Sequence, residues 1–200
     1  MKRLAFTPLI AVLLLLAAPA VYGATVHLNS ILLPTNEVPP TASSGVGAAS
    51  MDLDLVAQTL QLNIAFTGLT SGTTASHIHC CLPSPLATGV NVGVATTTPT
   101  FAGFPLGVTS GTYNATLDLT QASSYNPAFI TLEGSLAAAE AALINGLLNG
   151  LTYLNIHTSQ FPGGEIRGFV VTAVPEPQTS AMLMAGLALF GFIAVRRNRR

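Results

Sequence analysis

The sequence predicts a mainly β protein: an antiparallel β-sandwich with one inserted helix, followed by a single C-terminal membrane-spanning helix. Three observations predict it. Short apolar runs of strict alternation recur through the middle of the chain, separated by Gly, Pro, Asn and Ser. One segment there switches to helical spacing, and both chain ends are apolar runs accompanied by basic residues. Period-two alternation marks strands with one buried face, and several such strands between turn signals mark a sandwich.

Residues 1–24 come first. Lys2 and Arg3 precede an unbroken apolar run from Leu9 to Ala18, and small residues follow at Gly23 and Ala24. The run is shorter than the ~20 residues a spanning helix needs, so the segment reads as a secretory signal peptide and is set apart from the fold.

Residues 25–173 form the domain. A strand is predicted over Thr25–Ile31. Met51, Leu53 and Leu55 alternate with Asp52 and Asp54, and Leu60, Leu62, Ile64 and Phe66 alternate with Gln61, Asn63 and Ala65. Joined across Ala57-Gln58-Thr59, the two runs read as a hairpin with one buried face. Ser76–Cys80 reads as a further strand, and Tyr113, Ala115, Leu117 and Leu119 mark another. From Ser135 to Leu148, Leu136, Leu143, Ile144, Leu147 and Leu148 stand at helical spacing among alanines, with Gly150 at a C-cap. Strands follow over Leu151–His157 and Ile166–Thr172.

Residues 174–200 close the chain. Val174-Pro175-Glu176-Pro177 is a rigid, non-helical break, since neither proline continues a helix. An apolar run from Ala181 to Val195 leads to Arg196, Arg197, Arg199 and Arg200. Basic residues resist translocation, which places the tail in the cytoplasm and the domain outside.

Charge narrows the function. Residues 25–173 carry one basic residue, Arg167, against seven carboxylates, a formal charge of −6 that the basic chain ends conceal. Nucleic acid needs a basic footprint and is excluded as a partner. Simple charge attraction to an acidic polysaccharide is excluded equally. Arg167 is expected in a structural ion pair with Glu165, two residues away on the same strand side, or with Glu37 or Asp52.

The densest chemistry lies in Ser76-His77-Ile78-His79-Cys80-Cys81. On a strand, His77 and His79 share one face at a Cα separation of about 7 Å, which suits two ligands of one zinc or copper ion. His157, on a second predicted strand in register with Tyr153 and Asn155, would supply a third ligand if the strands are neighbours. Two other readings compete: hydrogen bonding of half-buried histidines to loop carbonyls and Glu165, and a solvent-facing pair. For the cysteines three outcomes stand open. They are a Cys80–Cys81 disulfide closing an eight-membered ring, thiolates (Cys81 above all) joining the histidines on a soft metal, and intermolecular bridges. The vicinal disulfide is favoured, because export exposes thiols to an oxidising compartment and the chain has no other cysteine.

Two resemblances add to this reading. Pro175-Glu176-Pro177, the apolar helix and the arginine cluster, in that order, resemble a PEP-CTERM sorting signal of Gram-negative bacteria. That resemblance implies an exosortase, a membrane-embedded cysteine protease, as processing partner. It also implies transient anchoring in the inner membrane with release to the cell surface or exopolysaccharide matrix. In the domain, Leu32-Leu33-Pro34-Thr35-Asn36-Glu37-Val38-Pro39-Pro40 is followed by Gly45 and Gly47. His77-Ile78-His79 comes next, then Tyr153-Leu154-Asn155-Ile156-His157-Thr158, then Phe161-Pro162-Gly163-Gly164-Glu165-Ile166-Arg167-Gly168. This ordered set resembles a CHRD domain, which implies an immunoglobulin-like or dismutase-like β-sandwich and assigns no general activity.

Three function classes follow. The first is a non-enzymatic exported module with a binding or structural role, contacting exopolysaccharide or surface proteins. The second is an extracytoplasmic metal-binding or redox protein using the His-Ile-His-Cys-Cys cluster. The third, an enzyme, lacks support: no Gly-x-Ser-x-Gly elbow, phosphate loop or zinc-protease helix is present.

Overall fold

The computed structural model describes residues 25–173 and the single position Leu187. The segments read from the sequence as a signal peptide (1–24) and as a sorting motif with a C-terminal helix (174–200) lie outside the described residues, Leu187 apart. Two antiparallel sheets carry the domain, as a β-sandwich requires. The strands are β1 (Thr25–Leu32), β2 (Val46–Asp54), β3 (Thr59–Thr67), β4 (Thr73–Cys80), β5 (Gly111–Asp118), β6 (Thr152–Thr158), β7 (Ile166–Phe169) and β8 (Val171–Thr172). The larger sheet runs in the order β5-β3-β2-β1-β8 and the smaller β4-β6-β7.

Alternation built the larger sheet. In β2 and β3, Ala49, Met51, Leu53, Leu60, Leu62, Ile64 and Phe66 are buried, while their neighbours in sequence face outward. Register is fixed because a one-residue slip would put this whole set on the wet face. The hairpin turns through Gln58, whose φ is +53°. Leu28 and Leu32 of β1 join the same core, which continues through Ile78, Leu154, Ile156 and Ile166 of the smaller sheet.

The structure departs from the predicted elements in two places. The run Ile166–Thr172 is two strands rather than one: β7 pairs with β6 and β8 with β1. Val170, fully buried, stands where the chain changes sheets. The single inserted helix is a pair, α1 (Pro127–Glu133) and α2 (Leu136–Leu148). In α1, Asn126 caps the first turn by accepting from the Ala128 N–H, proline opens the helix, and Gly134 ends it in a left-handed conformation. In α2, Ser135 accepts from the Ala138 N–H.

The smaller sheet positions the site. Its burial pattern is not alternating: β4 and β6 are buried on both faces. Ile78, Leu154 and Ile156 face the apolar core. The other face, bearing His77, His79, Tyr153, Asn155, His157 and Arg167, is covered by the loops that supply Glu37, Val92, Pro99 and Pro162. A polar layer therefore sits inside the protein beneath irregular chain.

Candidate metal centre

Cross-strand register brings the histidines together. His77 and His79 of β4 lie opposite Asn155 and Tyr153 of β6, and His157 lies opposite Ala75. Directly paired residues share a face, so all three imidazoles project from the covered side. One ring nitrogen from each lies within 4.8 Å of the other two. His77 and His79 are buried, and His157 is half-buried.

Each imidazole is held by a main-chain carbonyl. His77 Nε2 lies 2.5 Å from Pro99 O, His79 Nδ1 2.7 Å from Val92 O, and His157 Nδ1 2.9 Å from Pro162 O. A carbonyl only accepts, so these three nitrogens carry the ring protons and donate. The nitrogens left bare are His77 Nδ1, His79 Nε2 and His157 Nε2. Two of them, His77 Nδ1 and His157 Nε2, face each other at 3.3 Å. The third, His79 Nε2, is buried with no hydrogen-bond partner. Lone pairs in that arrangement repel until a cation stands among them. A tetrahedral ion with metal–nitrogen bonds of about 2.1 Å holds its ligand nitrogens about 3.4 Å apart, and the His77–His157 separation matches.

Electrostatics suit the same role. Burial pushes the His79 imidazole down to about 4, with its carbonyl partner opposing and the neighbouring His157, His77 and Arg167 adding to the fall. Burial also lowers His77 and His157. All three are neutral at neutral pH, the form that ligates a metal.

A second buried group adjoins the histidines. The His79 ring stacks on Tyr153 at 4.6 Å, and the Arg167 guanidinium lies 4.3 Å from the centroid of the Tyr153 ring. Arg167, fully buried, pairs with Glu37 at 3.2 Å and donates to Val90 O and Asn91 Oδ1. Asn155 Nδ2 donates to the other Glu37 oxygen at 2.8 Å. Burial raises the Glu37 carboxyl to about 7 against the opposing pull of Arg167 and Asn155. Gly164, at φ +127°, lets the chain pass where a Cβ would strike Asn155 and Glu37.

Of the three partners expected for Arg167, the structure gives Glu37, which corrects Glu165. Glu165 stands just before β7, and its carboxylate is taken by donors from other segments. Glu165 is instead satisfied by Ser43 Oγ, Thr70 N–H and Thr158 Oγ1, at 2.5, 2.6 and 2.5 Å. Burial alone would raise its carboxyl, but those donors outweigh it and hold it low. Cys81 is not a metal ligand: it is bridged to Cys80. A Cβ on Gly146 of α2 would lie 2.7 Å from Cys80 Sγ and 3.2 Å from Cys81 Sγ, so both sulfurs pack against that helix. Sequence reasoning did not assign Tyr153, Asn155 or Glu37 to the centre. The Tyr-x-Asn-x-His spacing was the available signal for the first two, while the carbonyls of Val92, Pro99 and Pro162 carry no side-chain signature.

Comparison with known families places the domain and the C-terminal segment. A CHRD domain model matches residues 28–170 and a PEP-CTERM protein-sorting motif model matches residues 173–200. No curated protein and no solved structure matches the chain.

Proposed function

Because the chain belongs to the CHRD domain family and ends in a PEP-CTERM sorting motif, we propose that it is an exported, non-enzymatic surface protein whose β-sandwich holds one zinc or copper ion at His77, His79 and His157. The motif implies export, processing by an exosortase and sorting to the surface of a Gram-negative cell. One observation carries the metal reading: each ring N–H is given to a main-chain carbonyl, leaving three bare nitrogens turned inward. Carbonyl acceptors of this kind fix the tautomer and ring orientation of metal-binding histidines. When bound, the ion would screen the facing lone pairs and tie β4 to β6.

The test is elemental analysis of the full chain, exported to the periplasm and purified in mild detergent without chelator or histidine tag. Near-stoichiometric metal that disappears in His77→Ala/His79→Ala is the expected result. A folded protein that takes up neither zinc nor copper on reconstitution would refute the reading.

A second reading rests on the outer face of the larger sheet. Asn29, Ser50, Asn63 and Asn114 stand in one register row across four strands. His27, Asp52, Gln61 and Thr116 form the row beside it. This face, rich in amides and hydroxyls and free of basic side chains other than His27, is where the module would contact neutral exopolysaccharide or a surface protein.

A further inference from the structure

We infer that the three-histidine centre selects a monovalent soft cation, cuprous copper, over a divalent ion. The inference rests on the metal reading above and concerns which ion that site takes.

The first observation is the charge of the ligand set. Three neutral imidazoles bring no negative charge, and each passes its second proton to a carbonyl rather than a carboxylate. A carboxylate acceptor would make the ring a stronger donor and offset part of a dication's charge. The nearby carboxylates are engaged elsewhere: Glu37 with Arg167 and Asn155, and Glu165 with Ser43, Thr70 and Thr158. The residue directly across the ladder from His157 is Ala75, which offers no charge.

The second observation is a fixed cation. The Arg167–Tyr153–His79 stack places a guanidinium behind one of the three ligands, its charge offset only in part by its partner Glu37. Its repulsion acts twice as strongly on a 2+ ion as on a 1+ ion. Desolvation adds to the same preference, because the cost of burying an ion rises with the square of its charge. Sodium and potassium are hard ions that seek oxygen, so nitrogen donors leave cuprous copper among the common monovalent metals. Three imidazoles complete its coordination without an added anion.

The test compares two ions on the full-length protein. Cu(I) is titrated anaerobically against a bicinchoninate competitor, and Zn²⁺ against a chromophoric chelator. One Cu(I) per chain, bound ~100-fold or more tighter than Zn²⁺, is the expected result. Zn²⁺ bound as tightly as Cu(I) would overturn the selectivity while leaving the metal site intact. Binding of neither ion would overturn the metal reading and this inference together. A second variant tests the cause. Ala75→Asp sets a carboxylate across from His157 and should narrow the Cu(I)-to-Zn²⁺ preference by about tenfold or more, while the neutral control Ala75→Asn should not. An unchanged ratio in a folded Ala75→Asp protein would show that charge does not set the choice of ion.

Discussion

At the scale of single residues, Arg167 dominates. Removing it leaves Glu37 buried without its cation, and breaking a buried pair from one side costs about 3–5 kcal/mol. Arg167→Met should therefore lower the midpoint of urea unfolding markedly, and Glu37→Gln in the same chain should restore part of the loss. Equal midpoints for wild type and Arg167→Met would refute a structural pair. The pair and the histidines also set opposing pH dependences in the metal-free protein. His79 is lowered from 6.5 to about 4, so the unfolded chain binds more protons across that window and stability falls as pH drops through it. Glu37 is raised from 4.5 to about 7, so the folded chain binds more protons there and stability falls as pH rises. The two slopes partly cancel. In Glu37→Gln the histidine slope stands alone, and unfolding measured from pH 7 to pH 4 should show a steeper acid loss than in wild type.

At the scale of elements, α2 and the vicinal disulfide depend on each other. Glycine inside a helix costs about 1 kcal/mol relative to alanine, yet Gly146 stands near the end of α2, where a Cβ would come within 2.7 Å of Cys80 Sγ and 2.9 Å of Thr152 Cγ2. Gly146→Ala should lower the melting temperature despite the better propensity. A rise would mean that the sulfurs yield freely. Most elements of the larger sheet were legible in the sequence, because the alternation of Met51–Leu55 and Leu60–Phe66 reports a face that is wet on one side. The smaller sheet was legible only as strands. With β4 and β6 buried on both faces, a buried His77 reads the same as an exposed one. α1 escaped notice because seven residues behind a proline carry too little periodicity. The break between β7 and β8 escaped because Val170 continues the apolar pattern while the chain changes partner. The choice of Glu37 over Glu165 and Asp52 was not legible, because that pairing spans 130 positions and is set by the Leu33–Arg167 bridge and the bond from Asn36 Nδ2 to Arg167 O.

At the scale of the whole molecule, the division of charge orders the parts. The domain is acidic and the tail after the apolar run is basic, the charge order that the topology expected from the sequence requires. Deleting residues 174–200 should move the protein from the membrane fraction to the soluble periplasm with its metal content unchanged. Loss of metal on that deletion would tie the centre to the tail. Ala173, at the end of the described domain, is hydrogen-bonded through its N–H to His27 O, and β8 holds β1 by only Leu28↔Thr172 and Asn29↔Val171. β1 starts at this same end of the sheet. A force applied at Ala173 would load these bonds in sequence, as in opening a zipper, and not all at once. The seam gives a few residues of slack, roughly 3.3 Å each, and then stops at Val170, anchored in the core. Beyond Val170 the chain passes directly into β7, the edge strand of the sheet that carries the histidines, so β8 is the short length of chain that gives way before a pull on Ala173 reaches that sheet.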